Sequence, residues 1–326
     1  MSESGRDSGP DRGPGRDAPG PVIGLDGGGT HTRIAVTDVD GRELLRREGP
    51  PGLIDPRDPA GTAAILVRLI RETADEAEVP LPASALCAGL AGAGSEPERN
   101  AVLDTLTAAG VATRIAVVQD AEIALRGALD GEPGILLAAG TGSIAFGRAE
   151  DGRIGRCGGW GHLVGDEGSG YTIAREGLKA ALQAADGRAP DTRLLGDLIA
   201  HLGLDEPRDI PSWVARTDKA EVAALAPRVA RLAEEGDGAA LRIVEAAADH
   251  LAHHVEALLV RLAPWSRPVP VVFFGGALED PDLARRVESR LRHSPVETAR
   301  RRPIADAVTG AVLHALDLAT TGSGAG

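Results

Sequence analysis

The sequence predicts an α/β protein of two lobes, each built on a mixed sheet in which three antiparallel strands lead into helical crossovers. Its 326 residues exceed a typical single domain and give two domains enough chain to bury a core each, so two domains with a cleft are the starting expectation. Three short apolar runs at residues 22–26, 33–38 and 42–48 are separated by Gly27-Gly28-Gly29-Thr30 and by Asp40-Gly41, and Asp-Gly between extended runs is a hairpin signal. A second series of three, at residues 134–139, 143–148 and 153–157, opens the rest of the chain and again leads into helical sequence. The repeat is one of pattern and not of sequence.

The remaining elements follow in order. Helical periodicity over 60–77, an extended run over 85–90, a helix over 96–109, an extended run over 114–119 and a helix from 121 complete the first lobe; strands alternating with helices read as crossovers onto one sheet. Ser95 followed by Glu98 reads as a capping box for the helix at 96. Residues 176–263 are Ala- and Leu-rich with helical periodicity. Val222, Leu225, Val229 and Leu232 share one face, as do Leu241, Val244, Ala248 and Leu251, so this block reads mostly as scaffold. A buried strand over 269–274 ends in Gly275-Gly276, and a closing helix is expected over 304–316. Residues 1–20, rich in Gly, Pro, Asp and Arg without an apolar stretch, read as a disordered tail. The lobes are placed at 21–130 and 131–326, the second carrying the helical insertion and the last helix packing back on the first.

Composition narrows the function. A net charge of −13 with scattered basic residues argues against a nucleic-acid or anionic-membrane surface, and no run is apolar for long enough to span a bilayer. The expected partner is a small molecule. Cys87 and Cys157 are the only cysteines, too few for a disulfide framework or a Cys-rich zinc site and in keeping with a reducing cytosol. The only lysines, Lys179 and Lys219, stand against thirty-three arginines. Neither sits in a P-loop or behind a Gly-rich phosphate lid, so phosphate chemistry here has to use glycine amides and metal.

Two glycine turns follow strands. In Asp26-Gly27-Gly28-Gly29-Thr30 the glycines let amides approach a polyphosphate, Thr30 offers a hydroxyl, and Asp26 stands where a carboxylate could hold Mg²⁺; a plain Gly-rich hairpin fits the same residues. Gly140-Thr141-Gly142-Ser143 occupies the corresponding place in the second series. As a dinucleotide fingerprint it would have to open a helix, whereas the sequence after it reads as a strand, so a phosphate-binding hairpin tip and a plain tight hairpin are the readings that remain. Asp120 ends a strand before a helix, which suits both an N-cap and a general base toward a substrate hydroxyl.

The segment from Cys157 to Gly170 holds six glycines in fourteen residues, interleaved with Trp160, His162, Asp166 and Glu167, a composition too costly in entropy for a plain connector. Trp160 offers an apolar face to a sugar ring, and Asp166 and Glu167 accept hydrogen bonds from hydroxyls. A ligand-binding loop is expected, with His162 the weaker member.

Together, Asp26 to Thr30, Asp120, Gly140 to Ser143, and the run from Gly158 through Ser169 resemble the N-acetylglucosamine kinases, within the ATPase group that includes the activators of benzoyl-CoA reductase and 2-hydroxyacyl-CoA dehydratase. The resemblance spans about residues 21–318. It implies the two-lobed, actin-like (ribonuclease H-like) fold with ATP and sugar in an interlobe cleft, a cytoplasmic enzyme, and ATP-dependent phosphorylation of N-acetylglucosamine to its 6-phosphate; a homodimer is compatible with it. Carried over by position, Gly27, Gly28, Gly29 and Thr30 handle phosphates with Asp26 on Mg²⁺, Gly140, Thr141, Gly142 and Ser143 hold the remaining phosphates, and Gly275 and Gly276 border the adenosine. Asp120 is the base. Gly158, Gly159, Trp160, Asp166 and Glu167 bind the sugar.

One departure stands out. Where the family supplies a sugar-binding asparagine after the third strand, this chain has Gly49-Pro50-Pro51-Gly52-Leu53-Ile54-Asp55, leaving Asp55 as the substitute. Glucosamine, another hexose and N-acetylmuramic acid are therefore alternative substrates. An iron–sulfur activator and a non-catalytic sugar or nucleotide sensor are the readings from other classes; the first needs accessible cysteines, and the second would be marked by a missing base.

Overall fold

The computed structural model describes residues 20–321, so the expected N-terminal tail lies, but for Gly20, outside the described residues. The described residues divide into two units, 20–119 with 311–321, and 120–310. In the first, β1 (Val22–Gly27), β2 (Thr32–Thr37) and β3 (Glu43–Gly49) form a meander, followed by α1 (Pro59–Glu76), β4 (Ala83–Leu90), α2 (Glu96–Ala108) and β5 (Ala112–Gln119). The sheet order is β3-β2-β1-β4-β5, antiparallel in the meander and parallel from β1 to β5. Ile23 and Leu25 of β1 and Ile34 and Val36 of β2 pack with Leu66 and Ile70 of α1 in one apolar core.

The second unit opens with α3 (Asp120–Leu129), then repeats the meander as β6 (Gly134–Ala139), β7 (Ser143–Arg148) and β8 (Ile154–Gly158). Six helices follow: α4 (Gly170–Ala185), α5 (Arg193–Leu202), α6 (Ile210–Arg216), α7 (Lys219–Ala223), α8 (Ala226–Glu234) and α9 (Gly238–Arg261). The unit then adds β9 (Val269–Phe274), α10 (Pro281–Leu291) and β10 (Thr298–Arg301), and α11 (Ala307–Thr320) begins in it. The sheet order β10-β9-β6-β7-β8 is the first sheet's order again, so the repeat legible as pattern is real in topology. Strand alternation sends Ile135 and Leu137 to the core shared with α9, and Leu136 with Phe146 to the core shared with α3.

Two local expectations are corrected. Ser95 does precede α2, but its side chain makes no capping hydrogen bond and the Glu98 carboxylate does not return to it; Pro97 occupies the first turn, which is supported by the negative Glu96 and Glu98 at the positive end of the helix dipole. The closing helix starts at Ala307 rather than at 304, because the amides of Ile304 and Ala305 donate to the carbonyls of Ala128 and Gly127 at the end of α3 (3.0 Å each). The helix then begins after Asp306, whose carboxylate accepts from the Thr309 amide at 3.0 Å.

The first turn of α11 meets α3 backbone to backbone. A Cβ on Gly310 would overlap the Ile123 carbonyl and sit 2.6 Å from the Gly127 amide nitrogen, and backbone cannot move aside as a side chain can. Gly310→Ala is expected to cost at least about 2 kcal/mol, the scale of a forced overpacking, and to lower the melting temperature by several degrees, whereas Gly196→Ala, in open space on α5, should leave it unchanged or raise it; differential scanning calorimetry of the two variants decides.

Candidate active site

In the first unit, β1 runs into the glycine turn and β2 leaves it in register, Gly27 opposite Thr32. The space there is fixed by neighbours: a Cβ on Gly27 would lie 2.6 Å from Leu90 Cδ2, and one on Gly52 3.0 Å from the Gly27 Cα. The Gly28 amide donates to the His31 carbonyl at 3.1 Å, and the Gly28 carbonyl accepts from the amides of Gly52 and Leu53 at 3.0 and 3.1 Å. Gly29 and Thr30 are exposed beyond this clamp, with the Thr30 hydroxyl 3.0 Å from His31 Nδ1. Asp26 is half-buried at the end of β1. Asp55 is exposed, and its carboxylate accepts from the Arg57 amide at 2.9 Å while its own amide donates to the Thr62 hydroxyl at 3.2 Å, an Asx turn that leads into α1.

In the second unit, three loops come together. The Gly140 amide donates to the Gly142 carbonyl at 2.9 Å, closing the hairpin tip, and the Gly140 carbonyl accepts from the Gly170 amide at 2.8 Å. Gly275, at φ +92°, lies so close to β6 that a Cβ would be 2.6 Å from the Ala139 carbonyl oxygen, and the Ala277 amide donates to that same carbonyl at 3.0 Å. The third loop is tied to the hairpin by the Ser143 hydroxyl, which donates to the Glu167 carbonyl at 2.7 Å. Asp166 is buried in a left-handed conformation, φ +55°, uncommon for a residue with a Cβ. Its carboxylate fills the space a Gly142 side chain would take, the nearest oxygen 2.9 Å from that Cβ position, and the Thr172 hydroxyl donates to its carbonyl at 2.8 Å.

A cavity of about 530 Å³ opens from these loops. Gly140, Thr141 and Gly276 form its polar end, Ala223 and Pro227 a small-residue wall from α7 and α8, and Leu283 of α10 the far side. Sequence periodicity marks the buried faces of these helices but gives no sign that their small residues enclose a ligand-sized space, so this wall was missed.

Glycines also determine the seat of the tryptophan loop. Gly158 and Gly159 take φ values of +76° and +70°; a Cβ on Gly158 would sit 2.9 Å from His254 Nε2, and one on Gly159 2.8 Å from Ile144 Cδ1. Trp160 is 67% exposed, and the guanidinium of Arg156 lies 4.5 Å from its ring centroid. Asp166 and Glu167 part company here: Asp166 faces Gly142, while the Glu167 side chain turns toward His254, Oε2 to Nε2 3.6 Å. His162 stacks edge-on against Tyr171, centroids 5.0 Å apart, and belongs to the loop's packing.

Asp120 is the first residue of α3 and its carboxylate accepts from the Ala121 amide at 2.9 Å. Water reaches part of the side chain, yet protein crowds the carboxyl on its other sides, and this desolvation raises its pKa above the ordinary aspartate value against the opposing pull of the Ala121 hydrogen bond. The hydrogen bond to the Ala121 amide occupies one carboxylate oxygen and leaves the other free of that cap.

Comparison with known proteins places the whole chain in a family. The model of the BadF/BadG/BcrA/BcrD ATPase family matches residues 23–315. The chain belongs to that family. It is 36% identical over 262 residues to an N-acetylmuramic acid/N-acetylglucosamine kinase of Clostridium acetobutylicum, covering 79% of this chain and 86% of that protein. It is 31% identical over 271 residues to an N-acetyl-D-glucosamine kinase of Dictyostelium discoideum, covering 79% and 85%. The crystal structure of a candidate N-acetylglucosamine kinase of Chromobacterium violaceum superposes with a TM-score of 0.73 at 28% identity, covering 91% of this chain and 98% of that one. The actin-like, two-sheet α/β architecture expected from the sequence is thereby shown, and the family is one of ATP-using proteins. Among the described residues no helix is long and apolar enough to cross a membrane.

His254 is the residue beneath the loop that sequence reading passed over, because it lies in a helix read as scaffold and no motif contains it. It is buried on α9, and burial lowers its pKa below the usual histidine value, the Glu167 carboxylate pulling the other way while His250 and His253 push with burial. In the unfolded chain it takes up a proton near pH 6.5; the folded protein resists, so the unfolded state binds more protons as pH falls below that value and stability drops there. Between pH 6.5 and 5 the melting temperature of the native protein should therefore fall more steeply than that of His254→Gln; parallel slopes would show that His254 does not titrate in a buried setting.

Proposed function

We propose that this chain is an ATP-dependent kinase of amino sugars, with N-acetylglucosamine its preferred substrate. One observation carries the reading: in the second unit a cavity large enough for a nucleoside ends on the Gly140–Thr141 and Gly276 backbones, and the loop that supplies Asp166 to Gly142 is the same loop that exposes Trp160. A purine base suits the small-residue slot between Ala223, Pro227 and Leu283, while phosphates suit the glycine amides at its end. The clamped Gly27–Thr30 turn is assigned to phosphates on the same grounds. Both relatives above 30% identity are kinases of N-acetylated amino sugars by name.

Mg²⁺ fits the donors present. Among the described residues no group of three metal-ligating side chains exists, which suits an ion that keeps several waters and binds through one carboxylate and the nucleotide's phosphates; Asp26 at the end of β1 is the proposed carboxylate. When bound, the ion would neutralise charge on the transferred phosphoryl group. The chain's own residues do the rest. Asp120 accepts the proton of the sugar hydroxyl as that oxygen bonds to the γ-phosphorus and the bond to ADP breaks, the glycine amides stabilise the phosphate oxygens, and Gly158, Gly159, Trp160 and Asp166 position the sugar. Glu167, turned toward His254, acts on the loop and not on the sugar.

The iron–sulfur activator reading is not favoured. Cys87 is fully buried in β4, and Cys157 is half-buried with burial as the main cause raising its pKa, the reverse of what a thiolate ligand needs.

ADP release in the presence of Mg²⁺ should be stimulated by N-acetylglucosamine well above the basal rate and abolished by EDTA; a panel of amino sugars and hexoses in which none stimulates turnover would overturn the kinase assignment. Asp120→Asn should lower kcat by about a hundredfold or more with ATP affinity nearly intact. In the native enzyme the raised pKa of Asp120 places the acid limb of kcat/KM above the range of an ordinary aspartate, activity rising with pH as the base loses its proton; a rate flat down to pH 4, or a near-native Asp120→Asn, would reduce Asp120 to an N-cap. With Asp55 in place of an amide donor, glucosamine should be used within about a hundredfold of N-acetylglucosamine in kcat/KM, read from the ratio for the two sugars in the native protein and in Asp55→Asn.

A further inference from the structure

Two packed helices usually bury apolar stripes against each other, and α4 does so with Ile173, Ala174, Gly177, Leu178 and Ala181. Its neighbouring stripe is different. Thr172, Glu176, Lys179 and Gln183 recur at intervals of four, three and four, one helical face of polar side chains, and across from them α9 presents the small residues Ala239 and Ala246. Small residues opposite long polar ones leave a cavity of about 440 Å³ between α4 and α9. It is separate from the nucleotide-sized cavity, although Ile173 stands in the wall of both.

The charges in this second cavity do not cancel. Arg175, Lys179 and Arg242 face Glu167 and Glu176. Glu176 is shared, accepting from Lys179 at 2.7 Å and from Arg175 at 3.1 Å, and the Glu167 carboxylate is turned to His254. Arg242 has no carboxylate partner among the described residues. In a chain of net charge −13 with only two lysines, Lys179, ion-paired to Glu176, and Arg242 beside the same hollow leave it with an excess of positive charge that attracts an anion. Around them the Gln183 amide can donate or accept, the Thr172 oxygen, its proton already on the Asp166 carbonyl, can accept from a hydroxyl, and Ile243 gives an apolar floor.

We propose that the cavity between α4 and α9 is a second ligand site, for a hydroxylated phosphate ester of the size of a hexose phosphate, the product class of the reaction proposed above, on which this step rests for the ligand's identity. The phosphate meets Arg242 and Lys179, and the hydroxyls meet Thr172 and Gln183. The site adjoins the reaction: Thr172 holds the Asp166 carbonyl, and Glu167 and Gly168, which line the cavity, continue from Asp166. A bound sugar phosphate therefore presses on the segment that sets Asp166 against Gly142.

Calorimetric titration of the full-length protein with N-acetylglucosamine 6-phosphate tests it, with saturating N-acetylglucosamine and a non-hydrolysable ATP analogue present so that the reaction site is filled. One molecule per chain should still bind, at least tenfold more weakly in Arg242→Glu and in Lys179→Glu, while both variants keep kcat within twofold when no product is present. Absence of this binding, or equal binding in the variants, overturns the site. Inorganic phosphate should bind at least tenfold more weakly than the sugar phosphate; equal affinity would overturn the sugar-phosphate assignment. Added sugar phosphate should change kcat in the native protein and not in Arg242→Glu, and an unchanged kcat would overturn the link to Asp166. If the kinase reading itself failed, no sugar would stimulate turnover, yet loss of binding on Arg242→Glu would still be seen.

Discussion

The second unit depends on one contact, the seating of glycine loops on a single face of α9. Gly168 is so close to this helix that a Cβ would lie 2.6 Å from Leu251 Cγ and 2.7 Å from the Ala247 carbonyl; Gly158 meets His254, and Gly155 meets Leu258 and Leu262 at 3.1 Å. Four turns of one helix thus template the strand β8 and both halves of the tryptophan loop. A side chain at Gly158 or Gly168 would need both a conformation that L-residues rarely adopt and space that α9 already occupies. The glycines are required by packing as much as by a ligand, and the entropy they cost in the unfolded chain is recovered in a loop that holds one conformation.

That template also bears on how the proposed polyphosphate site is built almost without lysine. The hairpin tip at Gly140–Ser143 is tied by the Gly170 amide, by the Ser143 hydroxyl on the Glu167 carbonyl, and by the Gly159 amide on the Ser143 carbonyl at 2.9 Å. Together these ties hold the tip in one geometry. Amides fixed in this way stabilise charge without reorganising. In the first unit a different clamp fixes the glycine turn, the Gly28 carbonyl held by the amides of Gly52 and Leu53.

Much of this was legible in the sequence, and for physical reasons. The periodicity of two in short strands and the glycine turns between them specify a meander locally, so β1, β6, β7 and β9 fall within a residue of their expected ends. Element boundaries set by partners distant in sequence were not legible: the start of α11 depends on the carbonyls of Gly127 and Ala128, some 180 residues upstream, and the Ser95 cap on whether a hydroxyl reaches an amide. Glycine-rich segments announced the candidate site, because an unusual composition must be accounted for by backbone geometry. His254 and the walls of Ala223 and Pro227 announced nothing. A histidine or an alanine inside an amphipathic helix satisfies the periodicity wherever it points, and only the packing of α9 under the loop, or of α7 and α8 around a hollow, gives it a task.

The two sheets share an order but not a burden, and the difference bears on how such a fold specialises. The first meander passes to its next strand through α1 alone, whereas six helices intervene between β8 and β9. An insertion at that point leaves the sheet register untouched, since β6 and β9 pair in parallel whatever the length of the crossover. It places new helices beside the hairpin tip at Gly140, where they enclose one cavity, and beside the Asp166 loop, where α4 and α9 enclose another. Asp166, against Gly142 and next in sequence to the Glu167 that lines the second cavity, has its backbone in the left-handed region, a conformation that costs about 1 kcal/mol or more and persists only where neighbours over-determine it. Thr172, through its hydroxyl on the Asp166 carbonyl, and the hairpin tip, through Gly142 and through Ser143 on the adjoining Glu167 carbonyl, supply that constraint. A residue held so is sensitive to small shifts of α4, and α4 is the wall that both cavities have in common.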